Sequence, residues 1–127
     1  MTITDLELLA RADAAAARAY APYSHFHVGC AVLTRDGEVI EGVNVENAAY
    51  PLGVCAERTA FARAVAEGRR PGDFVVAAIT ASPCGGCRQW LAEMRVERVV
   101  FRNGGRIVTM TTHELLPEQF EASKLPS

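Results

Sequence analysis

The run Val28-Gly-Cys-Ala-Val-Leu33 has no polar side chain on either face that a strand would present. Successive strand side chains point to opposite sides, so a sheet covered on one face alone would leave half of this run in water. The segment therefore calls for a central strand with an apolar layer on each side. That requirement favours a layered α/β fold, and the flanking sequence supplies the layers.

Upstream, Thr4 and Glu7 form a Ser/Thr-x-x-Glu capping box, and Leu8, Leu9, Ala12, Ala15, Ala16 and Ala19 recur at helical spacing. This pattern predicts a first helix from about Asp5 to Tyr20, ending before Pro22. Asp36-Gly37 accepts the positive φ of a tight turn, so Val28–Thr34 and Glu38–Val45 are expected to form a hairpin. A second helix should begin near Cys55, bury Ala56, Ala60, Phe61 and Ala64, and stop around Gly68. Phe74–Ala81 reads as a buried strand, and a third helix follows Pro83 with Cys87, Trp90, Leu91 and Met94 on one face. Arg98–Arg102 and Arg106–Met110 flank the turn Asn103-Gly104-Gly105, and a short helix at Thr112–Leu116 precedes Pro117. No repeat or linker divides the 127 residues, which are read as a single domain, 1–127. The fold expected is α/β, a three-layer α/β/α arrangement around a mixed sheet of about five strands.

Charge narrows the function classes. Thirteen basic residues against fifteen acidic ones give a net charge of -2, a poor balance for gripping a phosphate backbone. Apolar stretches run for only a few residues, too short to span a bilayer. Asp5 and Glu7 stand where a secretory leader would be basic, so the expected address is the cytoplasm, with neither a nucleic acid polymer nor a membrane as partner.

Four cysteines, Cys30, Cys55, Cys84 and Cys87, remain to be explained. A disulfide framework fits badly with a chain that is not Cys-dense and has no secretory signal. Cys84-Gly85-Gly86-Cys87 places two sulfurs on one side of a helix's first turn, a spacing that suits a metal ion, a redox pair or two inert buried thiols. Cys55-Ala56-Glu57 adds a third thiol and a carboxylate at another expected helix start. At both starts the helix dipole favours thiolate over thiol. Three thiolates leave one tetrahedral position of zinc open, the mark of a catalytic site, where the pKa of water falls from about 15.7 toward roughly 7. Glu57 is then placed to take and return protons, although an acid in a first turn also serves simply to complement the dipole. Arg58 is a candidate to offset the negative charge of the sulfurs or, equally, a solvated helix residue. Cys30, inside the apolar hairpin, is expected to be a small core residue.

Cys55-Ala56-Glu57 with Pro83-Cys84-Gly85-Gly86-Cys87-Arg88-Gln89 resembles the signature of the small homotetrameric cytidine deaminases, of the cytidine/deoxycytidylate deaminase family. The similarity extends through Ala21-Pro-Tyr-Ser-His-Phe-His-Val-Gly, Gly42-Val-Asn-Val-Glu-Asn-Ala-Ala-Tyr-Pro and Glu114-Leu-Leu-Pro-Glu-Gln-Phe, nearly the whole chain. The resemblance implies that Cys55, Cys84 and Cys87 hold one Zn2+ per subunit and that Glu57 shuttles protons while hydroxide attacks C4 of the pyrimidine. Cytidine and deoxycytidine would become uridine and deoxyuridine with loss of ammonia, a reaction of pyrimidine salvage. By the same resemblance, Asn44 and Glu46 bind ribose, the Ala56 N–H meets the pyrimidine O2, and Phe26 packs on the base. Phe120 reaches a neighbouring subunit's pocket, and Tyr50 lies in a segment used near shared sites. Alternation along a strand supports the Asn44–Glu46 pair, since residues two apart share a face. The stretch from Phe74 to Ser82 is shorter than is usual in the family, which trims a loop or strand end near the pocket, and His25, His27 and His113 receive no catalytic role. Two other readings stand beside this one. One is deamination of an aminonucleoside antibiotic such as blasticidin S, or of a base in RNA; the other is a non-catalytic, zinc-stabilised binding module.

Overall fold

Asp36 and Gly37 reverse the chain as expected, with Gly37 at φ +91° and its N–H on the Thr34 carbonyl at 3.0 Å. The turn joins β1 (Gly29–Thr34) to β2 (Val39–Val43), which pair antiparallel with Cys30 opposite Gly42 and Leu33 opposite Val39. These elements belong to a computed structural model that describes residues 2–126. Every residue of β1 is buried, as its two apolar faces require.

The other elements follow in the expected order: α1 (Asp5–Ala16) before the hairpin, then α2 (Ala56–Ala66), β3 (Phe74–Ile79), α3 (Gly85–Glu93), β4 (Arg98–Asn103), β5 (Arg106–Thr111) and α4 (Thr112–Leu115). The strands form one mixed sheet in the order β2-β1-β3-β4-β5. Only β3 and β4 run parallel, with Val76 opposite Arg98, and α3 forms their crossover.

Two separate cores lie on the two faces of this sheet. On one, Leu8, Leu9 and Ala12 of α1 pack against Ala31, Leu33, Val76, Ala78 and Val100. On the other, Ala56, Ala60, Phe61 and Ala64 of α2 and Leu91 of α3 cover Cys30, Val32, Phe74, Ala77, Ile79 and Val99. Phe61 and Phe74 meet edge to face, ring centres 5.3 Å apart. Each large side chain fully buried here contributes roughly 1.5–3 kcal/mol of transfer free energy. The α/β/α layering is thus the one the β1 sequence demanded.

Some element ends fall short of the periodicity; β3, for one, stops at Ile79 rather than Ala81. The helical pattern runs through Ala19, yet α1 stops at Ala16 because the Tyr20 N–H binds the Asn44 carbonyl at 3.0 Å and the Glu46 N–H binds the Tyr20 carbonyl at 2.8 Å. Strand β2 ends at Val43 instead of Val45, and Val45 bridges Tyr20 on one side and Val54 on the other. Short 3-10 turns at Tyr50–Leu52 and Ala122–Lys124 were not anticipated. Among the described residues no helix is long and apolar enough to cross a membrane.

Candidate active site

The helix starts place the chemistry. Cys55 is the N-cap of α2, and Cys84 the N-cap of α3, so both carry extended backbone and turn their side chains to the tip of a helix. The Cys84 sulfur accepts from the Cys87 N–H at 3.4 Å, a capping bond that holds one sulfur above the other. Two tertiary contacts bring these tips together. The bridge between Val45 and Val54, with both N–H···O distances 2.9 Å, fixes the strand that leads into Cys55. Gly42 lets α2 lie directly on β2, because a Cβ there would stand 2.4 Å from the Ala60 nitrogen and 2.5 Å from the Ala56 carbonyl oxygen.

The result is a cluster in which Cys55, Cys84 and Cys87 offer sulfurs all within 4.8 Å of one another, with Cys55 and Cys84 3.9 Å apart. All four cysteines are free thiols. The donor set fits zinc: bonds of about 2.3 Å in a tetrahedron put sulfurs about 3.8 Å apart, and thiolate is a preferred ligand. Cys30 is fully buried in the core behind the cluster and is not one of its donors.

Glu57, two residues after Cys55, is only 3% exposed. Burial pushes its carboxyl above the usual carboxylate range, a shift that its own backbone N–H, the Cys87 thiol and Arg58 offset only in part. Burial likewise raises the Cys55 and Cys87 thiols, Cys87 far more, with the Glu57 charge adding to the effect. Cys84 goes the other way: burial opposes its ionisation, but hydrogen bonds from the Cys87 N–H and from the neighbouring thiols bring it below the ordinary thiol value. The two helix starts thus differ: the protein groups lower the Cys84 thiol, whereas burial outweighs the helix dipole at Cys55, and a bound divalent cation would favour thiolate at all three positions.

Arg58, half-buried, turns its guanidinium toward this cluster. Burial works against its charge, but hydrogen bonding to Cys87 and attraction to all three sulfurs outweigh that and strengthen its hold on the proton. Its guanidinium crosses Gly86, where a Cβ would come within 2.2 Å of Nη2. The second glycine of Cys84-Gly85-Gly86-Cys87 is therefore the space the arginine occupies. Arg58 Nε is buried with no partner among the described residues.

The other sequence-designated residues divide. Ala56 is the first residue of α2, fully buried, and helix geometry leaves its N–H without an intrahelical acceptor. Asn44 and Glu46 lie beyond the end of β2, and their side chains hold the exposed segment before β1. Asn44 Oδ1 accepts from the Val28 N–H and its Nδ2 donates to the Phe26 carbonyl, each at 2.8 Å. Glu46 Oε1 accepts the N–H groups of Tyr23 and Ser24 at 2.9 and 3.1 Å, while Oε2 accepts the Ser24 hydroxyl. The Ser24 hydroxyl bond is the main cause holding the Glu46 carboxyl below its ordinary range. Tyr50 stacks edge on with Tyr23 at 6.0 Å, and together with Glu46 they line a cavity of about 350 Å³. Phe26 is 61% exposed. Phe120 does not join these residues; it lines a different cavity, of about 680 Å³, with the C-terminal end of α3 and the segment that follows α4.

Arg88, to which its place in the cysteine motif assigns no role, fastens the second cysteine loop: Nε donates to the Pro83 carbonyl and Nη1 to the Leu115 carbonyl, each at 3.0 Å. Its signal in the sequence was proximity alone. Ser24 is a second such residue: its hydroxyl meets Glu46, a contact that no spacing in the sequence signals.

The family model for the cytidine and deoxycytidylate deaminase zinc-binding region matches residues 2–103. The chain belongs to the cytidine and deoxycytidylate deaminase family. A cytidine deaminase of Halalkalibacterium halodurans is 47% identical over 116 residues, covering 84% of this chain and 86% of that one. The crystal structure of cytidine deaminase from Burkholderia pseudomallei superposes with a TM-score of 0.87 at 44% identity, covering 93% of this deaminase and 100% of that chain. A blasticidin-S deaminase of Bacillus cereus is more distant, 32% identical with 91% of each chain covered. The deaminase is thus an α/β enzyme of a zinc-binding family, with a cysteine cluster able to hold the metal.

Proposed function

We propose that the enzyme converts cytidine and deoxycytidine to uridine and deoxyuridine by hydrolysis, releasing ammonia. The observation that carries this reading is the meeting of three free thiols within 4.8 Å of one another with a buried carboxyl at Glu57. Cys55, Cys84 and Cys87 would hold zinc, and when bound the ion acidifies water toward neutrality, supplying the attacking oxygen at neutral pH.

The chain's own residues account for the other requirements. Glu57 takes one proton from the attacking water and delivers it to ring N3 as the C4–O bond forms, then takes the second proton from the new C4 hydroxyl and delivers it to the amino group, which leaves as ammonia as the C4–N bond breaks. Its burial suits that task, since a carboxyl that resists ionising can both accept and return a proton. Arg58 balances the negative charge of the sulfurs. The Ala56 N–H is a free donor for the pyrimidine O2. Phe26 packs on the base, and Tyr50 lines the cavity beside Glu46.

The sugar is assigned to Asn44 and Glu46. After its bonds to the backbone, Asn44 retains one N–H and one lone pair, and Glu46 retains acceptor capacity on Oε2. That remainder, one donor beside acceptors, complements a sugar hydroxyl. A free nucleoside fits it better than an RNA base, in keeping with the net charge of -2.

A homotetramer with shared sites is the assembly we propose. Tyr20, Tyr23, Phe26, Val45, Tyr50, Leu52 and Val54 are each 40–75% exposed, and the bridges of Val45 to Tyr20 and Val54 join their segments into one apolar region. Phe120, 54% exposed, is then free to reach a neighbour. The cytoplasm as the site of action accords with four free thiols.

The test is to incubate zinc-replete enzyme with cytidine, deoxycytidine and blasticidin S side by side, following uridine or deoxyuridine and ammonia. Turnover of the two natural nucleosides is expected. Zinc-loaded protein that leaves both unchanged would reject the reading.

A further inference from the structure

The segment between Ala21 and Val28 has both ends buried and all six residues from Pro22 to His27 exposed. Within one subunit packing does not hold its shape, and His25 sits at φ +60°, a left-handed conformation uncommon for residues other than glycine. Hydrogen bonds must therefore set the path of this strap, and Ser24 is the strap residue whose side chain does so. Its hydroxyl donates to Glu46 Oε2 and accepts from the Phe26 N–H at 3.0 Å. A hydroxyl has one proton, so donation to the carboxylate turns its lone pairs toward Phe26. Glu46 and the backbone that carries Phe26 are thus linked through a single oxygen.

We propose that Ser24 is a positioning residue for the deamination, coupling the orientation of Glu46 toward the sugar to the placement of Phe26 against the base. The inference rests on the roles proposed above for Glu46 and Phe26. Without the hydroxyl, Glu46 Oε2 is free to rotate about the two backbone N–H bonds that Oε1 keeps, and Phe26 loses the bond that fixes its amide. Asn44 still anchors the strap at the Phe26 carbonyl and the Val28 N–H, so the strap persists but its two functions separate. Both are binding functions, so the loss should fall on KM.

The experiment compares wild-type enzyme, Ser24→Ala and Ser24→Thr on cytidine and on 2′,3′-dideoxycytidine, which lacks the 2′ and 3′ hydroxyls and keeps only the 5′ one. It also measures the cost of Phe26→Ala with and without the Ser24 hydroxyl. For Ser24→Ala the expected result is a KM for cytidine raised about tenfold, kcat within about twofold, and the preference for cytidine over the dideoxynucleoside reduced at least fivefold. Ser24→Thr, which keeps the hydroxyl, should restore the preference, and Phe26→Ala should cost at least threefold less in the Ser24→Ala background. A Ser24→Ala enzyme that keeps the full wild-type preference, or in which Phe26→Ala costs its full wild-type factor, overturns the proposal. Equal loss on both nucleosides, the signature of a merely structural role, overturns it as well. If the wild-type enzyme itself shows no preference between the two nucleosides, the sugar role of Glu46 fails first, and the proposal falls with it.

Discussion

Gly42→Ala tests whether the contact between α2 and β2 sets the metal geometry. The added Cβ would lie 2.4 Å from the Ala60 nitrogen and 2.5 Å from the Ala56 carbonyl oxygen, both backbone atoms of α2. Those distances fall about 1 Å short of the ~3.5 Å at which non-bonded atoms stop repelling. Side-chain rotation cannot relieve a clash with backbone, so the first turn of α2 has to move off the sheet by about that amount. Cys55 and Glu57 travel with it, whereas Cys84 and Cys87 stay with α3, and the 3.9 Å spacing between Cys55 and Cys84 is lost. Overpacking of this kind costs about 1–3 kcal/mol of stability, and a displacement of about 1 Å at reacting groups is worth roughly a hundredfold in rate. The assays are zinc retention against a chelator, thermal unfolding, and deamination of cytidine with zinc in excess. Weaker zinc binding and a fall in kcat/KM of about a hundredfold are expected even at temperatures where the variant is fully folded. A folded Gly42→Ala enzyme with wild-type zinc affinity and turnover would show that this contact does not position the site.

Three further outcomes follow from the same structure. Glu57→Gln should retain stoichiometric zinc, measured by elemental analysis, and lose about 10²–10⁴ in kcat, because it removes the proton carrier and leaves the sulfurs intact. Phe61→Ala should lower unfolding free energy in urea by about 3–5 kcal/mol, since Phe61 is fully buried against Phe74. The Asp5 carboxylate, which the paired 2.9 Å bonds from Arg98 hold below the usual range, should stabilise the protein by about 0.5–1 kcal/mol at neutral pH as an exposed pair. A lowered pKa in the folded state gives stability that is present above the unfolded value and lost as pH falls through the folded one, so the advantage over Asp5→Asn should begin to fall near about pH 4 and disappear only at more acid pH, below the folded value, in pH-dependent melts.

Local pattern reached far into this molecule. The face that α2 buries, Ala56, Ala60, Phe61 and Ala64, is the one its helical spacing selects, because an amphipathic stripe has only one apolar side to hide. The metal cluster was legible for a similar reason: Cys55 and Cys84 each precede a helical pattern, and N-cap geometry turns both sulfurs to helix tips. Features that depend on contacts between distant segments were not legible. Nothing around Ala16 says that Tyr20 will pair with Val45, so the helical pattern runs one turn past the end of α1. Alternation puts Asn44 and Glu46 on one face of the chain, but both lie past the end of β2, and their bonds to the strap at Tyr23, Ser24, Phe26 and Val28 arise only when the hairpin closes on it. Arg58 over Gly86 is of the same kind, a contact between two helices that neither sequence shows alone.

Zinc K-edge X-ray absorption of the purified enzyme is the most direct test of the central claim. Three sulfurs at about 2.3 Å and one light atom at about 2.0 Å are expected, the light atom exchanging when a nucleoside inhibitor enters the site. A fourth protein ligand closing the coordination sphere, or an enzyme that turns over cytidine at full rate with no zinc bound, would contradict it.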